Sequence, residues 1–298
     1  MAGKWEWENA TAGAVAGFAT VAIMHPLDVI RTRFQVNDGR LSNLPSYKNT
    51  PHALFTIARY EAFTRLFLDH PFLGDFFFFF YSGAKKRYAR DREDKLSPGL
   101  HLAAAAEAGA LVSFCTNPVW LIKTRLQLQN PLHQTRQYSG VYDALKTILK
   151  EEGWTALYRG IWPSLFLVSH GAIQFTAYEE LRKFLVDFKS DRAKNKGVEV
   201  LNSVDYTILG GSSKVAAILF TYPIQVVRSR LQQRPNTDGV PRYADSFHVV
   251  KDTARFEGVR GFYKGITANL LKNVPASAVT FVVYENVLKV FRLTKRKD

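Results

Sequence analysis

One phrase occurs three times in this chain. PLDVIRTRFQ begins at Pro26, PVWLIKTRLQ at Pro118 and PIQVVRSRLQ at Pro223. Counted from each proline, a base stands at +5 (Arg31, Lys123, Arg228), a second base at +7 (Arg33, Arg125, Arg230) and a glutamine at +9 (Gln35, Gln127, Gln232). A tyrosine follows at +21, +20 and +20 (Tyr47, Tyr138, Tyr243), and a glutamate at +35, +34 and +34 (Glu61, Glu152, Glu257). The prolines lie 92 and 105 residues apart. The chain therefore reads as three tandem units, 1–95, 96–196 and 197–298, with a period too long for the common helical solenoids.

Each unit carries the same plan. An apolar helix runs into the proline, which removes a backbone donor and favours a kink. The basic pair follows, then a polar loop and a short amphipathic helix such as Val141–Glu152. In copies two and three Gly153 and Gly258 follow the glutamate and suit the left-handed closing position of that helix. An aromatic-base-glycine triplet comes next, Tyr158–Gly160 and Tyr263–Gly265, before a second apolar helix ending in Tyr178–Glu179 and Tyr284–Glu285. Ala10–Leu27 and Ile161–Tyr178 each run 18 residues without Asp, Glu, Lys or Arg, near the lower limit for a membrane-crossing helix. Glu107, Lys214 and Lys272 interrupt other apolar stretches, a pattern that suits a bundle with a wet interior. The fold expected is an all-α membrane protein of six transmembrane helices in three pseudo-symmetric repeats, with short amphipathic helices on one side.

Composition bounds the alternatives. A net charge of +14 in 298 residues suggests a nucleic-acid partner for a soluble protein. The bases here recur at repeat positions instead of forming one patch, and 22 phenylalanines accompany them. A soluble RNA-binding protein thus remains only as the rival from another class, and no nucleic acid is expected. The lone Cys115 offers neither a disulfide framework nor a metal cluster. No secretory or transit peptide is evident at the start of the chain. No metal-ligand spacing, phosphate-cradling glycine loop or nucleophile–base motif is present, so the chain does not read as an enzyme and no cofactor is expected.

The tripled motif resembles the signature of the mitochondrial carrier family: proline, any residue, acid, two residues, base, any residue, base. The third-position series of Asp28, Trp120 and Gln225, with Ala104–Gly109, Ser169–Glu179 and Val282–Asn286, is similar to the folate/FAD transporter branch, its plant chloroplast-envelope members above all. The resemblance implies a monomeric bundle around a central cavity that opens alternately to either side of a membrane. It implies an anionic substrate, folate first and FAD second. It places the chain in the chloroplast inner envelope, or alternatively in the mitochondrial inner membrane. A carrier-fold protein that no longer transports is a further alternative.

In that family the acid of one repeat pairs with the first base of the next, and the glutamine braces the pair. Carried over, Asp28 meets Lys123 with Gln127 as brace, Trp120 faces Arg228 with Gln232, and Gln225 faces Arg31 with Gln35. Breaking a desolvated ion pair at one partner costs ~3–5 kcal/mol, whereas a neutral hydrogen bond is worth ~0.5–1.5 kcal/mol net. Losing two acids therefore lightens the gate and leaves Arg31 and Arg228 partly uncompensated. The sequence points to a gate that doubles as part of the binding site, with Trp120 over Arg228 or stacked on an aromatic substrate. In the plainer reading Trp120 only packs.

Further candidates come with two readings each. Lys214 stands where the sister helices place Gly17 and Gly109, and reads either as a binding or gating lysine or as a snorkelling one. Glu107 reads as its partner or as a proton-coupling group. His170 reads first as a packing histidine and second as a substrate contact. Lys272, three residues before Pro275, matches a position where the family often places a basic substrate contact, and Phe166 and Leu167 fall at the comparable level of repeat two. The spacing of Gly13 and Gly17 predicts close helix packing.

The opposite gate is read from aromatic-acid-x-x-base patterns. Tyr178, Glu179 and Arg182 match; Tyr284 and Glu285 match without the base at Leu288; Tyr81 and Lys85 match without the acid at Ser82. Copy one also has only 20 residues from Glu61 to Tyr81, against 26 and 27 in its sisters. That shortfall is worth roughly 9–10 Å of helix, so its second span reads as shortened. Lys189–Lys196 reads as a charged inter-repeat linker, and the last five residues as a solvated tail.

Overall fold

The computed structural model describes residues 2–37, 49–60, 98–129, 137–193, 203–235 and 242–294. Among them every regular element is a helix. The first copy of the motif gives α1 (Ala2–Val36) and α2 (Thr50–Tyr60). The second gives α3 (Pro98–Leu128), α4 (Val141–Glu151), a tight 3₁₀ turn (Trp154–Tyr158), α5 (Ile161–Leu167) and α6 (Ser169–Ala193). The third gives α7 (Ser203–Leu231), α8 (Ser246–Phe256), α9 (Gly258–Gly261) and α10 (Ile266–Thr294). The stretch read as a shortened second span, with Tyr81, Ser82 and Lys85, lies outside the described residues.

The long helices α1, α3, α6, α7 and α10 have 25 to 35 residues. At ~1.5 Å per residue each outruns a hydrocarbon core of about 30 Å. The helices continue through Pro26, Pro118, Pro223 and Pro275. Thr11–Val36 and Ala103–Leu128 are apolar enough to cross a membrane by length and composition, with mean hydropathy of 1.5 and 1.2. Polarity is inverted relative to a water-soluble bundle. Phe18, Ile23, Phe114, Phe175 and Phe220 are exposed, while Arg33, Arg125 and Arg230 are only 1, 2 and 1% exposed. Apolar outside and charged inside is the arrangement that lipid imposes.

Helix α1 packs on α10 in antiparallel fashion, and also meets α2, α3 and α7. Thr20 hydrogen-bonds Thr280 at 2.8 Å, and further along the same seam Lys272 reaches Asp28. α6 lies antiparallel to α7, with His170 on Thr221 near one end and Lys189 on Asp205 at the other.

The recurring tyrosine is explained by packing. Tyr138 lies buried with Leu126 of α3 and Ile148 of α4, and Tyr243 with Leu231 of α7 and Val249 of α8. It wedges α4 against the end of α3 and α8 against the end of α7. α4 presents Ala144, Thr147 and Ile148 inward, a helical spacing that fits its pattern. α8 begins at Asp245, whose carboxylate accepts the His248 backbone N–H at 2.7 Å.

Two expectations need correction. Among the described residues nothing lies within 4 Å of where a Cβ on Gly13 or Gly17 would sit, so these glycines do not mark a close helix contact there. The close approach is at Gly109, where a Cβ would stand 2.5 Å from Val168 Cγ1. Lys189 is also not in a linker: α6 runs on to Ala193, and Lys189 pairs with Asp205 at 2.5 Å.

The turn glycines behave as the motif requires. Gly153 and Gly258 have φ of 80° and 61°, and Gly160 and Gly265 have φ of 81° and 82°. A Cβ on Gly265 would also stand 3.0 Å from the Arg31 carbonyl and 3.1 Å from Tyr222 Oη. Gly265→Ala should therefore lower stability by about 1–3 kcal/mol, read as a fall in thermal midpoint of the detergent-solubilised protein. Gly140→Ala, with open space around it and extended backbone, should change that midpoint little.

Candidate functional site

The C-terminal halves of α1, α3 and α7 converge on the three proline motifs, and the same bonds recur around the circle. The +6 hydroxyl of each motif donates to the glutamine of the next: Thr32 to Gln127 Oε1 at 2.8 Å, Thr124 to Gln232 Oε1 at 3.0 Å, Ser229 to Gln35 Oε1 at 2.7 Å. The +7 arginine Nε donates to that glutamine's backbone carbonyl: Arg33 to Gln127 at 3.0 Å, Arg125 to Gln232 at 3.3 Å, Arg230 to Gln35 at 3.0 Å. Six bonds thus tie first to second, second to third and third back to first. Sequence reasoning counted the +7 base as a repeat anchor without giving it a role, and passed over the +6 hydroxyl, although Thr32, Thr124 and Ser229 stand inside the quoted phrase.

The arginines also hold the short helices. Arg125 makes a bidentate pair with Glu152, its Nη2 lying 2.9 Å from Oε2. Arg230 does the same with Glu257, at 2.5 and 2.9 Å. The base of the aromatic-base-glycine triplet joins from the other side: Arg159 lies 3.0 Å from Glu152, and Lys264 2.7 Å from Glu257. Lys264 also donates to the Asn37 carbonyl at 2.9 Å, a further tie from third repeat to first. Burial pushes the Glu257 carboxyl up, but hydrogen bonds from Arg230 and Lys264 outweigh it and hold it below the ordinary carboxylate range.

At the +2 and +5 positions the circle is unequal. Asp28 lies 2.9 Å from Lys123, and Gln127 Nε2 donates to the same oxygen at 3.1 Å. Its other oxygen takes Lys272 at 2.5 Å and Arg31 at 3.7 Å. Trp120 offers its ring to Arg228 at 5.3 Å and to Lys123 at 4.9 Å. Gln225 accepts a hydrogen bond from Arg31 at 2.7 Å. One buried carboxylate thus gathers three cations, while the other two junctions hold a cation over a ring and an arginine hydrogen-bonded to a neutral carboxamide.

Lys272 is therefore engaged with Asp28, a contact that its sequence position did not reveal. His170 hydrogen-bonds Thr221 at 2.9 Å, which fits its reading as a packing histidine. Lys214, half-buried on α7, stands close enough to His170 to act on it electrostatically. Glu107 is half-buried on α3, and no contact joins it to Lys214 among the described residues. Phe166 is largely exposed, and Leu167 beside it is half-buried. For the opposite gate, Glu179 and Arg182 stand on α6 without an ion pair to another helix among the described residues. Glu285 falls in α10, its side chain outside the description, and Lys85 lies outside it altogether.

The sequence profile of the mitochondrial carrier protein family matches residues 4–68, 94–189 and 199–295. The chain is 67% identical to folate transporter 1, chloroplastic, of Arabidopsis thaliana, over 98% of each chain. It is 35% identical to the mitochondrial nicotinamide adenine dinucleotide transporter 2 of the same plant, over 95% of this chain and 79% of that one. It is also 35% identical to the mitochondrial nicotinamide adenine dinucleotide transporter 1 of Saccharomyces cerevisiae, over 93% and 75%.

Asp28→Asn strips three cations of their shared acceptor, whereas Lys123→Gln or Lys272→Gln leaves it two. Thermal unfolding in detergent should show a loss of roughly 3–5 kcal/mol for Asp28→Asn and a smaller loss for either lysine change; equal losses would contradict a shared acceptor. At the rim, the Glu257 contribution is fully present above its ordinary value of 4.5 and is lost as pH falls below that and through its lowered value. Glu257→Gln should flatten the acid limb of the stability–pH curve, measured as the midpoint difference from wild type between pH 3 and 6; an unchanged limb would remove Glu257 from the account.

Proposed function

The chain belongs to the mitochondrial carrier family, and from that premise we propose that it moves folate across an organelle membrane by alternating access. The observation that carries the substrate is the 67% identity, end to end, with a protein described as a chloroplastic folate transporter. The same likeness supports the chloroplast inner envelope as the location, with the mitochondrial inner membrane as the alternative. The reading takes the chain as a monomer of six spans in three repeats, 1–95, 96–196 and 197–298. The exposed aromatic faces and buried charged ring support integral membrane residence.

In this reading the proline-motif ring is one gate. Asp28, Lys123, Arg31, Trp120, Gln225 and Arg228 are its bars, and Gln35, Gln127 and Gln232 its braces. The ring is closed here by six cyclic bonds and a single strong ion cluster. Glu179 and Arg182, with Glu285 and Lys85, form the opposite gate. Substrate enters the cavity between, past Lys214, His170, Glu107, Phe166 and Leu167, and reaches Lys272 at the floor. An anion there competes with Asp28 for Lys272 and so loosens the cluster that keeps the ring shut.

A second reading, FAD or another dinucleotide, is favoured by the two nicotinamide dinucleotide transporters at 35% identity. Reconstitution in liposomes decides between them. Labelled folate should accumulate faster than FAD, NAD or adenine nucleotide. Uptake of a nucleotide with none of folate would overturn the folate assignment, and uptake of nothing would favour a carrier-fold protein without transport.

A further inference from the structure

The threefold circle has three bracing glutamines, but only one has something to brace. Gln127 donates its amide to Asp28. In the two sister positions the acid is gone, and the amide nitrogens of Gln35 and Gln232 are buried without an acceptor among the described residues. These side chains are 1 and 2% exposed, so bulk water does not satisfy them. Their oxygens lie within hydrogen-bond distance of the Ser229 and Thr124 hydroxyls respectively, and the Thr124 hydroxyl also reaches the Trp120 carbonyl at 2.9 Å. Leaving a buried donor unpaired is unfavourable, and such a group calls for an explanation.

The junction between α3 and α7 carries a second signal. Arg228 meets no carboxylate among the described residues, and its Nε is likewise buried without an acceptor. The ring of Trp120 covers its guanidinium at 5.3 Å but accepts no conventional hydrogen bond. A full positive charge thus stands at the junction that lacks the acid, and the Gln232 and Arg228 side chains both pass close to Gly160, where an added Cβ would lie 3.4 Å from Gln232 Cγ and 3.6 Å from Arg228 Cγ. At the α7–α1 junction Arg31 Nε is buried in the same way, but Gln225 has taken another arm of Arg31 and Asp28 lies 3.7 Å from it. The unfilled position is the one at Trp120.

We propose that Arg228 and Gln232 form an oxyanion seat beneath Trp120, which a carboxylate from outside the chain fills in place of the missing acid. The inference rests on the ring being a gate, and it adds the chemistry that completes it. A planar carboxylate suits the seat because one oxygen can take Arg228 Nε while the other takes Gln232 Nε2. Trp120 then stacks on whatever flat group leads to that carboxylate. Folate ends in a glutamyl group with two carboxylates, so the substrate itself can supply the acid. A free oxyanion such as phosphate presents the same oxygens, and the ring would then close on a solute ion.

Thermal shift of the full-length protein in detergent, at constant ionic strength, separates these cases. The probes are folic acid, its dimethyl ester, in which both carboxylates are blocked, and inorganic phosphate. Gln232→Glu installs a carboxylate beside Arg228 and keeps an oxygen for Thr124. It should raise the ligand-free midpoint and weaken the response to folic acid by about tenfold in apparent Kd, or ~1.4 kcal/mol. Arg228→Gln should weaken it at least as much while lowering the midpoint, so a failure of one variant to fold leaves the other. Weaker stabilisation by the dimethyl ester than by folic acid identifies the substrate's own carboxylate as the occupant. A phosphate response lost in both variants identifies a solute ion. Responses to all three probes that match wild type in both variants overturn the seat. The transport reading is judged separately: loss of the phosphate response in the variants, without folate uptake in liposomes, keeps the seat and discards folate, whereas folate uptake with unchanged responses does the reverse.

Discussion

The +7 arginines hold the rest in place. Each is buried to within 2% of full enclosure, inside a chain whose outer faces suit lipid. An isolated charge there would be prohibitively costly. Arg125 and Arg230 are each satisfied twice, by the glutamine carbonyl of the next repeat and by the glutamate of their own. Arg125 and Arg230 are thus each both the internal staple of a repeat and its tie to a neighbour. The tie runs to a backbone atom, so it survives any change of side chain at the receiving position. That leaves the neighbouring +2 and +5 positions free to vary, and they are where the three junctions differ.

This division of labour explains the uneven acid content of the motif. The bonds from the +6 hydroxyls and +7 arginines are equal around the circle and supply its geometry. The +2 and +5 residues supply its strength. One junction concentrates the negative charge in Asp28 and gathers Lys123, Lys272 and Arg31 onto it. The others use an indole ring and a carboxamide. A circle built wholly of ion pairs would hold more firmly and release less readily; one with a single ionic cluster has one place to break.

The circle was legible in the sequence because its members recur at fixed offsets in a tandem repeat. Three copies of proline, base, base and glutamine define which residues must be neighbours once a threefold arrangement is assumed, and the contacts of Asp28 with Lys123 and Arg31 with Gln225 follow the offsets. Lys272 on Asp28 was not legible. It arises from the antiparallel register of α1 on α10, which no repeated offset encodes. The double duty of Glu152 and Glu257 was hidden likewise, because their partners Arg159 and Lys264 come from a loop whose course depends on positive-φ glycines. The glycine pair at 13 and 17 has no close neighbour among the described residues: spacing shows which face a glycine occupies, but not what approaches it.

The seam between α1 and α10 makes the fold a closed circuit. Thr20 touches Thr280, and Lys264 of the last repeat caps the end of the first long helix at Asn37. The joint between last and first is built from the same kinds of bond as those between consecutive repeats. Covalent order is therefore incidental to the assembled ring. In the language of topology, the backbone is an open line laid upon a loop, and the loop itself has no preferred starting point.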